Sequence, residues 1–179
     1  MDSPKIISQK VILETGLFDV KETEIQLEKN KKILYDVFRR PTVSVFPLTE
    51  KYEVYFISEY RYLHKRNVLG AVAGFVEEKE STLSAAKREL KEEAGIEASQ
   101  FEEIGRVELA ASVFKAQCHI FLAKGLETGL QNLEEDERIT VVKIPLQEAV
   151  KKVMNGEINT SISMIGILML DKLRKEKKL

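Results

Sequence analysis

Tryptophan is absent from the 179 residues, cysteine occurs once and histidine twice. The lone Cys118 rules out an internal disulfide, and neither His64 nor His119 has a second histidine or cysteine at metal-ligand spacing, so both histidines read as structural. Cys118 lies in the apolar run CHIFLA, where a thiol fills space, and its solitude fits a reducing compartment. No stretch approaches the ~18 apolar residues of a membrane-spanning helix. The start MDSPKIISQK lacks the apolar core of a signal peptide, so a cytoplasmic location is expected. Excess charge is lacking too: 28 basic against 29 acidic residues leave a net charge of -1, which offers no field for nucleic acid or anionic lipid. The one basic run, DKLRKEKKL, reads as the positive end of a last helix, where the helix dipole favours it.

What is present is a soluble globular composition, 44% hydrophobic and 32% charged, in a chain of ordinary single-domain size. Three alternating segments, KVILETGLF, VKETEIQLEK and KKILYDVFRR, meet at the turn signals Thr15-Gly16 and Lys29-Asn30 and predict two or three antiparallel strands. Residues 1–40 therefore read as an amino-terminal β extension, and 41–179 as the main domain. Two β-rich runs in PTVSVFPLTEKYEVYFISEYRY and the small-residue run NVLGAVAGFV predict central strands. Ser81 to Ala94 changes to helical periodicity, with Leu83, Ala86, Leu90 and Ala94 on one side, Ser81 or Thr82 as N-cap and Gly95 as the stop. EEIGRVELA, CHIFLAKGL and ITVVKIPL follow as strands, then LQEAVKKVMNGE and SISMIGILMLDKLRK as helices. This order predicts an α/β (α+β) protein with a mixed central sheet between helices.

One helix carries an apparent penalty. Glu89, Glu92 and Glu93 crowd into about one turn, where like charges repel by a few tenths of a kcal/mol per pair. They share a face and could hold a hard cation together, with Arg88 directed elsewhere and the Ala73 carbonyl as a further oxygen ligand beside Gly74. An all-oxygen donor set favours Mg²⁺ or Mn²⁺ over zinc. The plainer alternative is a solvated E/K-rich face, since Lys87 and Lys91 flank the acids.

The whole segment GFVEEKESTLSAAKRELKEEAGI resembles the Nudix box, G-x5-E-x7-R-E-U-x-E-E-x-G-U with U aliphatic, and every fixed position is filled: Gly74, Glu80, Arg88, Glu89, Leu90, Glu92, Glu93, Gly95 and Ile96. From average residue frequencies, a chance match arises in about one chain per million. The resemblance implies a Nudix-type α/β/α sandwich, metal-binding carboxylates at Glu89, Glu92 and Glu93, a Glu80–Arg88 pair bracing loop to helix, and backbone roles for Gly74 and Gly95. It also implies hydrolysis of a nucleoside diphosphate linked to another group. That polyanion chemistry agrees with a divalent cofactor, Mg²⁺ with Mn²⁺ as an alternative.

Outside the box, the strand-rich amino terminus, ISEYRY ahead of AVAG, and EEDERITVVKIPLQEAVKKVMNGEI resemble the ADP-ribose and ADP-sugar pyrophosphatase branch. Where that branch reads E-L-P-A-G, this chain reads GAVAG, with Gly70 and Val72 in place of glutamate and proline. Lys115 and Ala116 likewise depart from its pattern before HIFLA, and the S-x-F of SVFKAQC is similar to a subgroup acting on several ADP compounds. Arg61, and Arg39 or Arg40, are candidate phosphate ligands, since guanidinium forks suit phosphate oxygens, the alternative for a strand-edge arginine being a local carboxylate such as Glu59. Phe114 is a candidate for stacking on adenine. The general base is sought in Glu134, Glu135, Asp136 and Glu137, with Glu135 and Glu137 favoured, or in Glu92 or Glu93 of the box. Hydrolysis of a nucleoside triphosphate or dinucleoside polyphosphate and a non-catalytic nucleotide-binding module stand as alternatives. An amino-terminal sheet too small to bury its own apolar face predicts a homodimer.

Overall fold

The computed structural model describes residues 3–133 and 138–179. In chain order the elements are β1 (Lys5–Glu14), β2 (Phe18–Gln26), β3 (Lys31–Arg39), β4 (Thr42–Pro47), β5 (Glu53–Arg61), β6 (Arg66–Gly70) and β7 (Val72–Phe75). Then come α1 (Thr82–Ala94), β8 (Ile96–Glu108), β9 (Phe114–Lys115), β10 (Gln117–Thr128), β11 (Ile139–Pro145), α2 (Leu146–Met154) and α3 (Ser161–Lys175). Two compact units emerge, one comprising the residues up to Pro41 with Glu108–Cys118, the other Thr42–Val107 with His119–Leu179.

In the first unit β1, β2 and β3 form an antiparallel meander, because each turn signal falls between alternating apolar runs. Thr15 closes the first turn, its Oγ1 accepting the N–H groups of Leu17 at 3.2 Å and Phe18 at 2.9 Å. The two-residue β9 adds parallel to β3, with Val37 opposite Phe114, and makes the sheet mixed. Sequence pattern could not show this strand: two residues carry no periodicity, and their partner is distant along the chain.

The second unit is a sandwich. Its sheets run β7-β4-β10-β8 and β11-β5-β6. Alternation along the strands sends Phe46, Phe56, Ile120 and Leu122 into one core with Leu146, Ala149, Ile167 and Leu170 of α2 and α3. Val43, Val45, Ile57 and Phe121 face a second core with Ala85, Ala86 and Leu90 of α1. Phe46 and Phe56 meet edge to face at 6.5 Å. β6 and β7 are nearly continuous in sequence yet belong to different sheets, so Ala71 is the single residue at which the chain changes sheet. Among the described residues, no helix is long and apolar enough to cross a membrane.

Candidate active site

Strand β7 and helix α1 are joined by a loop from Val76 to Ser81, and these three pieces place the box residues from Gly74 to Glu93, with Gly95 and Ile96 following at the helix end and the start of β8. Ser81 caps α1, its Oγ accepting the Ser84 N–H at 3.0 Å. The buried stripe is Ala85, Ala86, Leu90 and Ala94. Leu83, which periodicity assigned to it, is 41% exposed. Ala85 takes its place, because small residues let the helix approach β7 and β4 closely. Gly95 ends the helix in the left-handed region at φ 63°, and a Cβ there would also press within 2.8 Å of the 129–131 backbone.

Arg88 is the electrostatic centre. Its Nε and Nη2 donate to the two Glu80 oxygens at 3.1 and 3.0 Å, and Nη2 also donates to the Phe75 carbonyl at 2.9 Å. The resemblance predicted the Glu80 pair. Nη1, however, donates to Glu89 at 2.7 Å and to Glu92 at 3.1 Å, so the expectation that Arg88 points away from the acids is corrected. Glu92, four residues on, shares the face of Arg88 by helix geometry, and although adjacent positions do not, an arginine is long enough to reach Glu89 as well. The repulsion that made the cluster puzzling is thus offset by a guanidinium within hydrogen-bond reach. The same bonds hold the Glu80 carboxyl below the usual carboxylate range and push the Arg88 guanidinium further up.

The carboxylates are seated against β7. Glu93 is only 5% exposed and accepts the Ala73 N–H at 2.9 Å. Glu89 lies against Gly74 so closely that a Cβ there would overlap its carboxylate, and this close approach, rather than any unusual φ, requires the glycine. Glu92 is the most exposed of the three. Gln131 and Asn132, which the sequence gave no reason to single out, satisfy the end of α1: Gln131 Nε2 donates to the Glu93 carbonyl at 2.5 Å and the Asn132 N–H to the Glu92 carbonyl at 3.0 Å. The one available signal was the need of any helix end for such partners.

Glu89, Glu92 and Glu93 are the residues that could hold a divalent cation. Their donors are all oxygen, and the Gly74 cradle leaves one carboxylate space that any side chain would fill. Among the described residues, no group of three or more acidic, histidine or cysteine side chains stands as a ready-made metal cage. Arg88 Nη1 instead gathers two of the three acids.

Arg61 ends β5, half exposed, with Nη2 2.6 Å from Glu59. Arg40 and Phe114 belong to the first unit, where Phe114 is 37% exposed and its strand lies beside β3. Glu135 and Glu137, with Glu134 and Asp136, lie outside the described residues. His119 is buried, Nδ1 3.0 Å from Glu103, which also pairs with Arg106.

Comparison with known proteins extends the resemblance. The chain is 25% identical over 178 residues to a methanol dehydrogenase activator of Bacillus methanolicus, covering 97% of this chain and 96% of that protein. It is 26% identical over 157 residues to an ADP-ribose pyrophosphatase of Bacillus subtilis (strain 168), covering 86% and 85%. A crystal structure of an ADP compounds hydrolase superposes with a TM-score of 0.87 at 22% identity, over 100% of this chain and 98% of that one, and so shares the fold. The NUDIX domain profile matches residues 38–162. That match covers well over half the chain and includes the strand, loop and helix that place the box, so the chain belongs to the NUDIX family.

Proposed function

We propose that this protein is a divalent-metal-dependent Nudix hydrolase that cleaves ADP-ribose or related ADP compounds to AMP and a phosphorylated remainder. The observation that carries the proposal is the seating of Glu89 and Glu93 on the Gly74 and Ala73 backbone, with Glu92 beside them. The name and near full-length match of the B. subtilis relative support the ADP-ribose class.

When bound, the cation, Mg²⁺ or Mn²⁺, supplies neutralisation of the charge developing on the diphosphate. Glu89, Glu92 and Glu93 would hold it, with the Ala73 carbonyl as a further oxygen donor. Water attacks one phosphorus, the bridging P–O bond breaks, and the bridging oxygen leaves with the other phosphate. The water's proton passes to a carboxylate: Glu92, accessible enough to meet water, or Glu93, with Glu135 or Glu137 as the alternative on the acidic segment. Arg61, Arg40 and Phe114 are proposed as substrate contacts, the arginines to phosphate oxygens and the ring to adenine.

A homodimer in the cytoplasm completes the proposal. Strand β1 is exposed along its whole length, and on one face of its sheet Leu13, Ile33 and Tyr35 are each at least half exposed, an apolar surface that a second copy would cover. Light scattering after gel filtration should report twice the 20.4 kDa chain mass.

Chromatography of products from ADP-ribose, ADP-glucose, NADH, diadenosine polyphosphates and nucleoside triphosphates tests the reaction. AMP should appear from ADP-ribose, stop with EDTA, and fall by ~10³-fold in Glu93→Gln, whose amide oxygen can still accept the Ala73 N–H. A Glu93→Gln enzyme as active as wild type overturns the proposal. A second reading, a nucleotide-dependent activator of another enzyme, is favoured by the full-length match to the B. methanolicus protein. Tight ADP-ribose binding with no turnover in Mg²⁺ or Mn²⁺ would select it.

A further inference from the structure

We propose that Ser163 of α3 is a positioning residue for the carboxylate cluster, acting through the backbone of β7; this rests on Glu89, Glu92 and Glu93 being the cation-binding group. Ala71, where the chain passes from one sheet to the other, lies outside both ladders and is 6% exposed, so its N–H needs a partner from elsewhere. Ser163, 5% exposed, supplies it: Oγ accepts the Ala71 N–H at 3.0 Å. Two residues further on the Ala73 N–H donates to Glu93, and one beyond that Gly74 receives the Glu89 carboxylate. The strand that seats two of the three acids is therefore pinned at its start by a helix on the opposite side of the sheet.

Two further observations show that this pin is built. Thr160, the N-cap of α3, makes no side-chain bond to the helix's own N–H groups and donates its hydroxyl to Ser163 Oγ at 2.7 Å instead. An N-cap threonine normally satisfies its helix, so this one orients Ser163 at the helix's expense. Gly70, standing where the resembling branch carries glutamate, leaves room for the Ser163 hydroxyl: a Cβ there would lie 3.2 Å from Ser163 Oγ, tighter than usual, and in ordinary contact at 3.7 Å with Thr160 Oγ1. Gly70, Thr160 and Ser163 thus form a matched set, and the departure at Gly70 has a structural partner on α3.

The test is Mn²⁺ binding to the full chain, followed by the electron paramagnetic resonance signal of free Mn²⁺, together with amide hydrogen exchange at Ala71 and Ala73. Ser163→Ala keeps a good helix former in α3 while removing the acceptor. Partners that orient metal ligands are typically worth 10–100-fold in metal affinity, and one step further out Ser163→Ala should weaken Mn²⁺ binding by ~3–10-fold and speed exchange of both amides. Gly70→Ala should shift both readouts the same way, and the double variant should add little to Ser163→Ala, because both act on one contact. A lower melting temperature with Mn²⁺ affinity and Ala73 exchange as in wild type would reduce Ser163 to a packing role and overturn the proposal. Should Ser163→Ala not fold, unchanged Mn²⁺ affinity in Gly70→Ala does the same. Wild type that fails to bind Mn²⁺ overturns the cation site itself, a separate result.

Discussion

Replacing Gly74 by alanine tests the seat of the cluster with a single methyl group. No positive φ is at stake, so alanine strains no backbone, and removing a glycine from a strand is favourable by roughly 0.5–1 kcal/mol. The cost comes from one place. The new Cβ overlaps the Glu89 carboxylate, which must retreat by more than an ångström to reach ordinary contact. That retreat stretches the 2.7 Å bond from Arg88 Nη1, a charge-assisted contact between side chains 27% and 12% exposed, worth about 1.5–3 kcal/mol. The net expectation is a loss of about 1 kcal/mol, a melting temperature roughly 2–4 °C lower for a chain of this size. Activity should suffer far more, since misplacement of a reacting group by about 1 Å costs on the order of 10²-fold in rate. Differential scanning fluorimetry with and without Mn²⁺, and kcat on ADP-ribose, measure both. Gly16→Ala, where an added Cβ meets nothing within 4 Å, is the control. A Gly74→Ala enzyme with kcat within about twofold of wild type and equal stabilisation by Mn²⁺ refutes the seating of Glu89 as the reason for this glycine.

Arg88→Lys replaces five hydrogen bonds to Glu80, Glu89, Glu92 and the Phe75 carbonyl by at most three donors on a point charge. It should cost about 2–3 kcal/mol, readable as a lower urea midpoint; an unchanged midpoint shows that the fork does not hold the loop. The carboxyls of Glu80 and Glu103 are held low by Arg88 and by Arg106, so both bind protons more weakly folded than unfolded. Their contribution is complete above about pH 4.5 and is lost as pH falls below it, so the urea midpoint should be flat from pH 7 to about 5 and decline toward pH 3. Glu80→Gln should flatten that decline, and a variant as acid-sensitive as wild type assigns the effect elsewhere. Gly166→Ala sets a methyl into the fully buried Phe46 ring. Overpacking of about 1–3 kcal/mol should exceed the helix-propensity gain of about 1 kcal/mol, and a higher melting temperature would show that the ring yields freely.

The sequence by itself determined the box and the local form of most elements. Ser81 and Gly95 mark the ends of α1 because a cap and a left-handed stop are local chemistry. The three amino-terminal strands lie between their turn signals for the same reason. The Glu80–Arg88 pair was implied by the motif, whose spacing fixes it on one loop and the next helix turns. The i,i+4 spacing also places Arg88 beside Glu92, whereas the tertiary structure alone decided that Arg88 reaches Glu89 as well, that Gly74 is a glycine because a carboxylate occupies its Cβ position, and that Ser163 reaches Ala71 from the far side of the sheet. It also decided that residues 108–118 join the amino-terminal strands. Capping, turns and periodicity act over a few residues and are therefore written in neighbouring letters. The direction of a long side chain, and which distant backbone group remains unpaired at a sheet crossing, depend on contacts that exist only after the chain has packed.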